Sequence, residues 1–142
     1  MATIFTKIIN GEIPCYKVAE DEHNFAFLDI NPMTKGHTLV VPKLSEPESD
    51  YIFNLDDETY TRLMAFSKKV ATAIEKSIAC KRIGVAVMGM EVPHVHVHLI
   101  PINKESDMII SNPKLKLDEA EMASIAAKIA DNYQKGKNKT TN

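Results

Sequence analysis

The stretch Val92–Pro101, which reads VPHVHVHLIP, places three of the chain's five histidines at every second position. The β-branched residues between the histidines and a proline near each end favour an extended strand over a helix. Side chains alternate between the two faces of a strand, so His94, His96 and His98 share one face. The apolar residues between them share the other face. The pattern predicts a strand with one side in the core and one chemically reactive side.

The histidine face has two possible chemical uses, besides the case in which the three side chains share no task. One is a metal site, but along a strand that rises ~3.3 Å per residue His94 and His98 lie roughly 13 Å apart. That is too far to share one zinc ion through bonds of about 2 Å, and the chain has no CxxC, HExxH or EF-hand pattern. The other use is nucleophilic or acid–base catalysis, because neutral imidazole keeps one free ring nitrogen. The sequence favours the second use, with no metal, no cofactor and His96 as the attacking group.

Composition describes an ordinary soluble protein. At 142 residues with 44% hydrophobic residues, the chain can form one domain with a real core. The net charge of −2 gives no electrostatic reason to expect a nucleic-acid or membrane partner. Cys15 and Cys80 are far apart in the sequence and no signal peptide or long apolar segment accompanies them, so we expect free thiols and a cytoplasmic location.

Periodic apolar spacing predicts an α+β domain with an antiparallel sheet of about five strands, one long helix and two shorter helices. The long helix is expected from about Asp56 to Cys80, after a Ser-, Glu- and Pro-rich loop at residues 44–53. We expect residues 1–113 to form the domain and residues 114–135 a C-terminal helix packed on that domain or on a partner. The polar residues 136–142 are expected to be a disordered tail.

The histidine stretch resembles the signature of the histidine triad family, His-φ-His-φ-His-φ-φ with φ apolar, which residues 94–100 match at every position. The similarity extends over roughly residues 2–110, to the nucleotide-binding branch that hydrolyses nucleoside phosphoramidates. It implies that His96 attacks the α-phosphate of a purine nucleotide conjugate, forming a nucleotidyl-histidine intermediate and releasing a nucleoside monophosphate. It also implies a homodimer with joined sheets, and the exposed edges of a small sheet give a physical motive for this pairing.

The resemblance also assigns roles to individual residues. His98, with His94 and His37, is implied to donate hydrogen bonds to the phosphate, and His37 is also implied to lie beside the triad and to help arrange its hydrogen bonds. On the residues alone Asp29 could simply cap the turn that follows it, but the resemblance favours a role in which its carboxylate accepts hydrogen bonds from the ribose hydroxyls. The implied walls of the base pocket are apolar side chains that suit the faces of a purine: Ile4, Phe5, Ile8, Phe27, Ile30 and Leu39.

Three departures from the family pattern leave alternatives open. Glu91 stands before the triad where relatives have a hydroxyl residue; it either turns outward or into an ion pair, or becomes buried and protonates the leaving group. No arginine follows Pro101, which weakens the case for a dinucleoside polyphosphate substrate. Thr3 and Thr6 stand where some relatives have cysteines that bind structural zinc. A dinucleoside polyphosphate hydrolase or nucleotidyl transferase, and a non-catalytic nucleotide-binding module, remain the alternative functions.

Overall fold

The fold is built on one antiparallel sheet. The computed structural model describes residues 3–44 and 50–139. Its strands are β1 (Lys17–Glu20), β2 (Asn24–Leu28), β3 (Thr38–Pro42), β4 (Arg82–Ala86) and β5 (Val97–Ile102). They lie in the order β1-β2-β3-β5-β4, with every neighbouring pair antiparallel. The expected α+β class and the five-stranded antiparallel sheet are confirmed.

The two faces of the sheet are covered differently. Helices α2 (Asp57–Ser77) and α3 (Glu119–Lys139) cover one face, where Val95, Val97 and Leu99 lie in the main core. The short helix α1 (Ile4–Ile9) covers the other face over a smaller apolar cluster that contains Phe5 and Phe27. The alternation in the histidine stretch therefore places its apolar side chains in the main core and its histidines on the face that α1 covers.

Regular strand pairing begins later in the histidine stretch than expected. β5 starts at Val97, and the first of its residues to pair with β4 is His98, which lies opposite Ala86. Before it the chain turns through Gly89, whose φ of 66° is in the left-handed region, and through Pro93, which has no N–H to donate. The alternation of faces continues all the same, since Val95 is only 1% exposed.

The helices differ from expectation at their ends, and α3 begins at Glu119 instead of at the expected residue 114. α2 is capped by Asp56, whose carboxylate accepts the Thr59 N–H at 2.8 Å, and it ends at Ser77, before the expected Cys80. α3 is as long as α2, with 21 residues each, so the expectation of one long and two shorter helices was wrong for α3.

The tail that the sequence predicted from Gly136 is helical as far as Lys139. Tyr133 is buried against Phe66 of α2, and Asn132 donates a hydrogen bond to the Ser77 hydroxyl at 2.9 Å. These contacts hold the last turns of α3 and offset the cost of about 1 kcal/mol for a glycine within a helix. α3 thus packs on its own domain, and residues 140–142 lie outside the described residues.

Two short 3₁₀ helices, Ile52–Asn54 and Glu105–Met108, complete the described structure. The first falls at the end of the loop expected at residues 44–53, and residues 45–49 of that loop lie outside the described residues. Within the described ranges, no helix has both the length and the apolar character needed to cross a lipid bilayer.

Candidate active site

His96 presents a ring nitrogen that is free to act as a nucleophile. Its Nδ1 lies 2.8 Å from the backbone oxygen of His94, and because that oxygen can only accept, Nδ1 carries the proton. In the neutral ring, Nε2 then holds a lone pair. The ring is 7% exposed and packs edge-on against Phe5, with ring centroids 5.0 Å apart, so its orientation is fixed.

The tautomer of His98 is set by a chain of hydrogen bonds that starts at the backbone. The Met33 N–H donates to Nδ1 of His37 at 3.0 Å, so the proton of neutral His37 is on Nε2. That Nε2 lies 3.0 Å from Nδ1 of His98 and donates to it. The proton of neutral His98 is therefore on Nε2, and the centroid of this ring lies 5.1 Å from that of His96.

Burial keeps both of these histidines neutral. It is the main cause that lowers the pKa of His37 from 6.5 to about 3, with further lowering by the charges of His98 and Lys114. It also lowers the pKa of His98 from 6.5 to about 4, helped by the charge of His96. At neutral pH the two rings thus form a donor–acceptor chain of uncharged groups.

His94 has no nitrogen left for a ligand. It is fully buried, its Nε2 donates to the Pro42 backbone oxygen at 2.9 Å, and its Nδ1 accepts from the Thr3 hydroxyl at 3.1 Å. Burial lowers its pKa and keeps the ring neutral. Because His37 also has both nitrogens engaged within the protein, the expected direct bonds from His94 and His37 to phosphate are not available. Both are positioning residues in this arrangement.

The buried histidines predict a loss of stability in mild acid. In the unfolded chain His37 and His98 take up protons near pH 6.5, whereas in the fold they do so only near pH 3 and 4. The unfolded state therefore binds more protons as the pH falls from 6.5 toward 4, and stability falls over that window. We expect the Tm to drop by several degrees between pH 7 and 5, and to drop less in His37→Gln.

The control for this measurement is His23→Gln, which removes a half-exposed histidine outside the site and should keep the full decrease in Tm. Equal decreases in the wild type and in His37→Gln would contradict the assignment of His37 as a buried neutral ring.

The histidines lie at the junction of two halves of one cleft. The apolar half has a volume of about 290 Å³ and the polar half about 510 Å³, and both are lined by His96, His98, Asp29 and Glu91. The apolar half is bounded by all the residues that were expected to bind the nucleotide: Ile4, Phe5, Ile8, Phe27, Asp29, Ile30 and Leu39.

Asp29 combines the two interpretations that the sequence left open. One carboxylate oxygen, Oδ1, accepts the Asn31 N–H at 2.9 Å and so caps the turn. The other, Oδ2, lies 3.7 Å from Nε2 of His37 and remains available at the cleft. Burial raises the pKa of this carboxyl group, and the Asn31 N–H and the charges of His96 and Lys114 partly oppose that shift.

Glu91 lies at the rim of both halves and is exposed. It has no ion-pair partner within 4 Å in the described part of the chain. The burial that a proton-donating Glu91 would need is therefore missing, and the outward-turned interpretation fits better.

One group of side chains has the spacing of a metal site. Single ligand atoms of Asp29, His37 and His98 all lie within 4.8 Å of one another. However, the Met33 N–H occupies Nδ1 of His37 and leaves the proton on Nε2, so His37 has no lone pair to offer a metal there. The donor set fits a hydrogen-bonded pair of histidines better than a metal centre.

Sequence reasoning missed several members of the site. The Thr3 hydroxyl, the Met33 N–H and the Pro42 carbonyl fix the histidine tautomers, and Lys114 lines the polar half. The backbone groups carry no residue-type signal. Lys114 is the first residue of the segment that was expected to be helical, and the structure begins that helix only at Glu119, so nothing in the sequence placed this lysine at the cleft.

Comparison with known proteins agrees with this geometry. The HIT domain family model matches residues 10–105. The chain belongs to the HIT family. Among HIT relatives, an uncharacterized HIT-like protein of Borreliella burgdorferi is 43% identical over 105 residues, 69% of this chain and 73% of that protein. The adenosine 5′-monophosphoramidase of Schizosaccharomyces pombe is 35% identical over 133 residues, 92% of this chain and 97% of that protein.

A solved HIT structure shares the fold over almost the whole chain. The crystal structure of a Hit-like protein involved in cell-cycle regulation from Bartonella henselae superimposes with a TM-score of 0.77 at 31% identity. The match covers 92% of this chain and 95% of that chain. It therefore extends into α3, which lies beyond the residues that the family model matches.

Proposed function

We propose that this HIT protein is a hydrolase that cleaves purine nucleoside phosphoramidates and related conjugates at the α-phosphate. The observation that carries the proposal is that His96, with an unprotonated Nε2, and His98, with its proton on Nε2, both line the apolar and the polar half of one cleft, with ring centroids 5.1 Å apart. The phosphoramidase activity named for the Schizosaccharomyces pombe relative supports the same reaction.

The two half-cleft regions suit the two parts of such a substrate. The purine ring lies among the apolar side chains of the smaller half, including Phe5, Phe27 and Leu39, which contact its faces without directional bonds. The ribose hydroxyls donate to Oδ2 of Asp29. The α-phosphate then lies at His96 and His98, and the leaving group enters the polar half.

The reaction proceeds in two displacements at phosphorus. Nε2 of His96 forms a bond to the α-phosphorus, the P–N bond breaks, and the amine departs with a proton from solvent. The Nε2–H of His98 donates to the phosphoryl oxygen on which negative charge grows. Water then attacks the nucleotidyl-histidine, loses a proton, and releases the nucleoside monophosphate while His96 regains its lone pair.

The decisive experiment is release of AMP from adenosine 5′-phosphoramidate by the wild-type protein, with and without EDTA. Turnover that is unchanged by EDTA supports a histidine nucleophile that needs no metal. Turnover abolished by EDTA would contradict the metal-free mechanism. Tight AMP binding without turnover would favour the non-catalytic binding module instead.

We also propose that the protein acts as a homodimer in the cytoplasm on a small molecule rather than on nucleic acid. The net charge of −2 and the two free cysteines, Cys15 and Cys80, support this setting. β4 is an edge strand of the sheet, and its Val85 is 54% exposed. Pairing of two β4 edges would cover that apolar side chain and join the sheets.

Val85→Lys is expected to shift the protein from dimer to monomer, because it places like charges at the paired edges. Light scattering coupled to size-exclusion chromatography would show a mass near the 15.9 kDa of one chain instead of twice that value. Thr61→Lys, on the exposed side of α2, is the matched control and should remain dimeric. An unchanged dimer in Val85→Lys would place the interface elsewhere.

A further inference from the structure

The proposed substrate site is short of positive charge. A phosphate at His96 would share the cleft with two carboxylates, Asp29 and Glu91, and with the uncharged ring of His98. Among the described residues that line either half of the cleft, Lys114 is the only lysine or arginine. An anionic group bound in this cleft therefore has one candidate for a positively charged partner, Lys114.

Lys114 is held at the polar half by the segment that carries it. The next residue, Leu115, donates its N–H to the Pro32 carbonyl at 2.8 Å, which pins the segment beside the turn that follows Asp29. The Asn112 side chain donates to the Ser106 carbonyl at 2.7 Å and closes the segment on itself. The lysine is thus carried by an ordered piece of chain.

The ammonium group is oriented by two carbonyl oxygens. Nζ of Lys114 donates to Ile110 O at 2.5 Å and to Asn112 O at 2.9 Å. A lysine ammonium has three N–H donors, so one donor remains for a ligand in the polar half. Lys114 lines this half together with His96 and His98, and the proposed function places the leaving group of a bound substrate there.

We propose that Lys114 is a specificity-determining residue that binds a negatively charged leaving group, so the cleft takes AMP joined to a phosphate or sulfate as well as phosphoramidates. This inference rests on the proposed hydrolase function and adds the substrate class to it. It assigns a role to a residue that lies outside the stretch matched by the family model.

The sulfate or phosphate leaving group and the amine leaving group differ in the negative charge that they carry away, and Lys114 stabilises mainly the charged kind. When His96 attacks an adenylyl phosphate or sulfate, the bond from the α-phosphorus to the bridging oxygen breaks and its electron pair leaves with that oxygen. Negative charge therefore grows on the leaving group, and a nearby ammonium stabilises it. A phosphoramidate leaving group takes up a proton and departs as a neutral amine, so Lys114 contributes less.

The kinetic test compares adenosine 5′-phosphosulfate with adenosine 5′-phosphoramidate in the wild type, Lys114→Gln and Lys116→Gln. We expect Lys114→Gln to lower the ratio of the two kcat/KM values, sulfate over amide, by roughly tenfold, as for loss of one charged hydrogen bond. Lys116 is exposed on the same segment, outside both halves of the cleft, and its replacement should keep the wild-type ratio. A Lys114→Gln ratio within twofold of wild type overturns the assignment.

A binding test separates this inference from the proposed function. α,β-Methylene-ADP carries an anionic group beyond the α-phosphate on a carbon bridge that cannot be cleaved, and AMP carries none, so calorimetry should show a preference for the analogue that Lys114→Gln loses and Lys116→Gln keeps. If the wild type turns over neither substrate but shows this pattern, the hydrolase proposal fails and the anion site at Lys114 stands. If the preference for α,β-methylene-ADP survives in Lys114→Gln, the anion site is overturned whatever the turnover.

Discussion

Replacing His96 with alanine is expected to lower the turnover of adenosine 5′-phosphoramidate on the order of 10⁴-fold, because the nucleophile is lost while the rest of the cleft remains. The hydrogen bond from His98 and the nucleotide pocket account for any residual rate. AMP should still bind, since the apolar half and Asp29 are unchanged. The measurement is single-turnover release of AMP, which isolates the chemical step from product release.

A covalent intermediate gives this prediction a second readout. Intact mass of the wild-type protein after a rapid alkaline quench should show an added nucleotidyl group, and His96→Ala should show none. Alanine also removes a ring that packs 5.0 Å from Phe5 and 5.1 Å from His98, so a thermal melt must establish that the variant is folded. A folded variant with a rate within tenfold of wild type would eliminate His96 as the nucleophile.

The sequence predicted the parts of the site that depend on local spacing. The alternation between Val95 and Val97 in the core and His96 on the opposite face follows from the period of a strand. It holds even where regular pairing has not yet begun. The antiparallel pairing of β4 with β5 likewise follows from two extended segments joined by a turn at Gly89.

The parts that depend on distant contacts could not be derived from residue spacing. His37 and His98 are 61 positions apart, and only the family resemblance suggested that they meet. Their protonation depends on the Met33 backbone N–H, which every residue except proline would provide. The length of α3 depends on the burial of Tyr133 against Phe66, so a polar sequence after Gly136 gave the wrong prediction.

The relay from Met33 through His37 to His98 makes His37 the second residue whose replacement should have a large effect. His37→Phe keeps an aromatic ring but removes the donor to Nδ1 of His98 and the acceptor for the Met33 N–H. His98 is then free to carry its proton on Nδ1 and to turn a lone pair toward the phosphate. We expect kcat to fall on the order of 10²-fold with a smaller change in KM, because the lost hydrogen bond acts mainly in the transition state.

Two conservative variants separate the relay from a purely structural role of His37. The amide N–H of glutamine can occupy the position of Nε2 and still donate to His98, whereas asparagine can occupy the position of Nδ1 and still accept from Met33. If the tautomer of His98 matters, His37→Gln should stay within about tenfold of wild type and His37→Asn should resemble His37→Phe. If His37 only satisfies the buried Met33 N–H, asparagine should be the better replacement. The ¹⁵N chemical shifts of His98 report the proton position directly, and an unchanged Nε2–H tautomer in His37→Asn would show that the hydrogen bond from His37 does not set the tautomer of the catalytic donor.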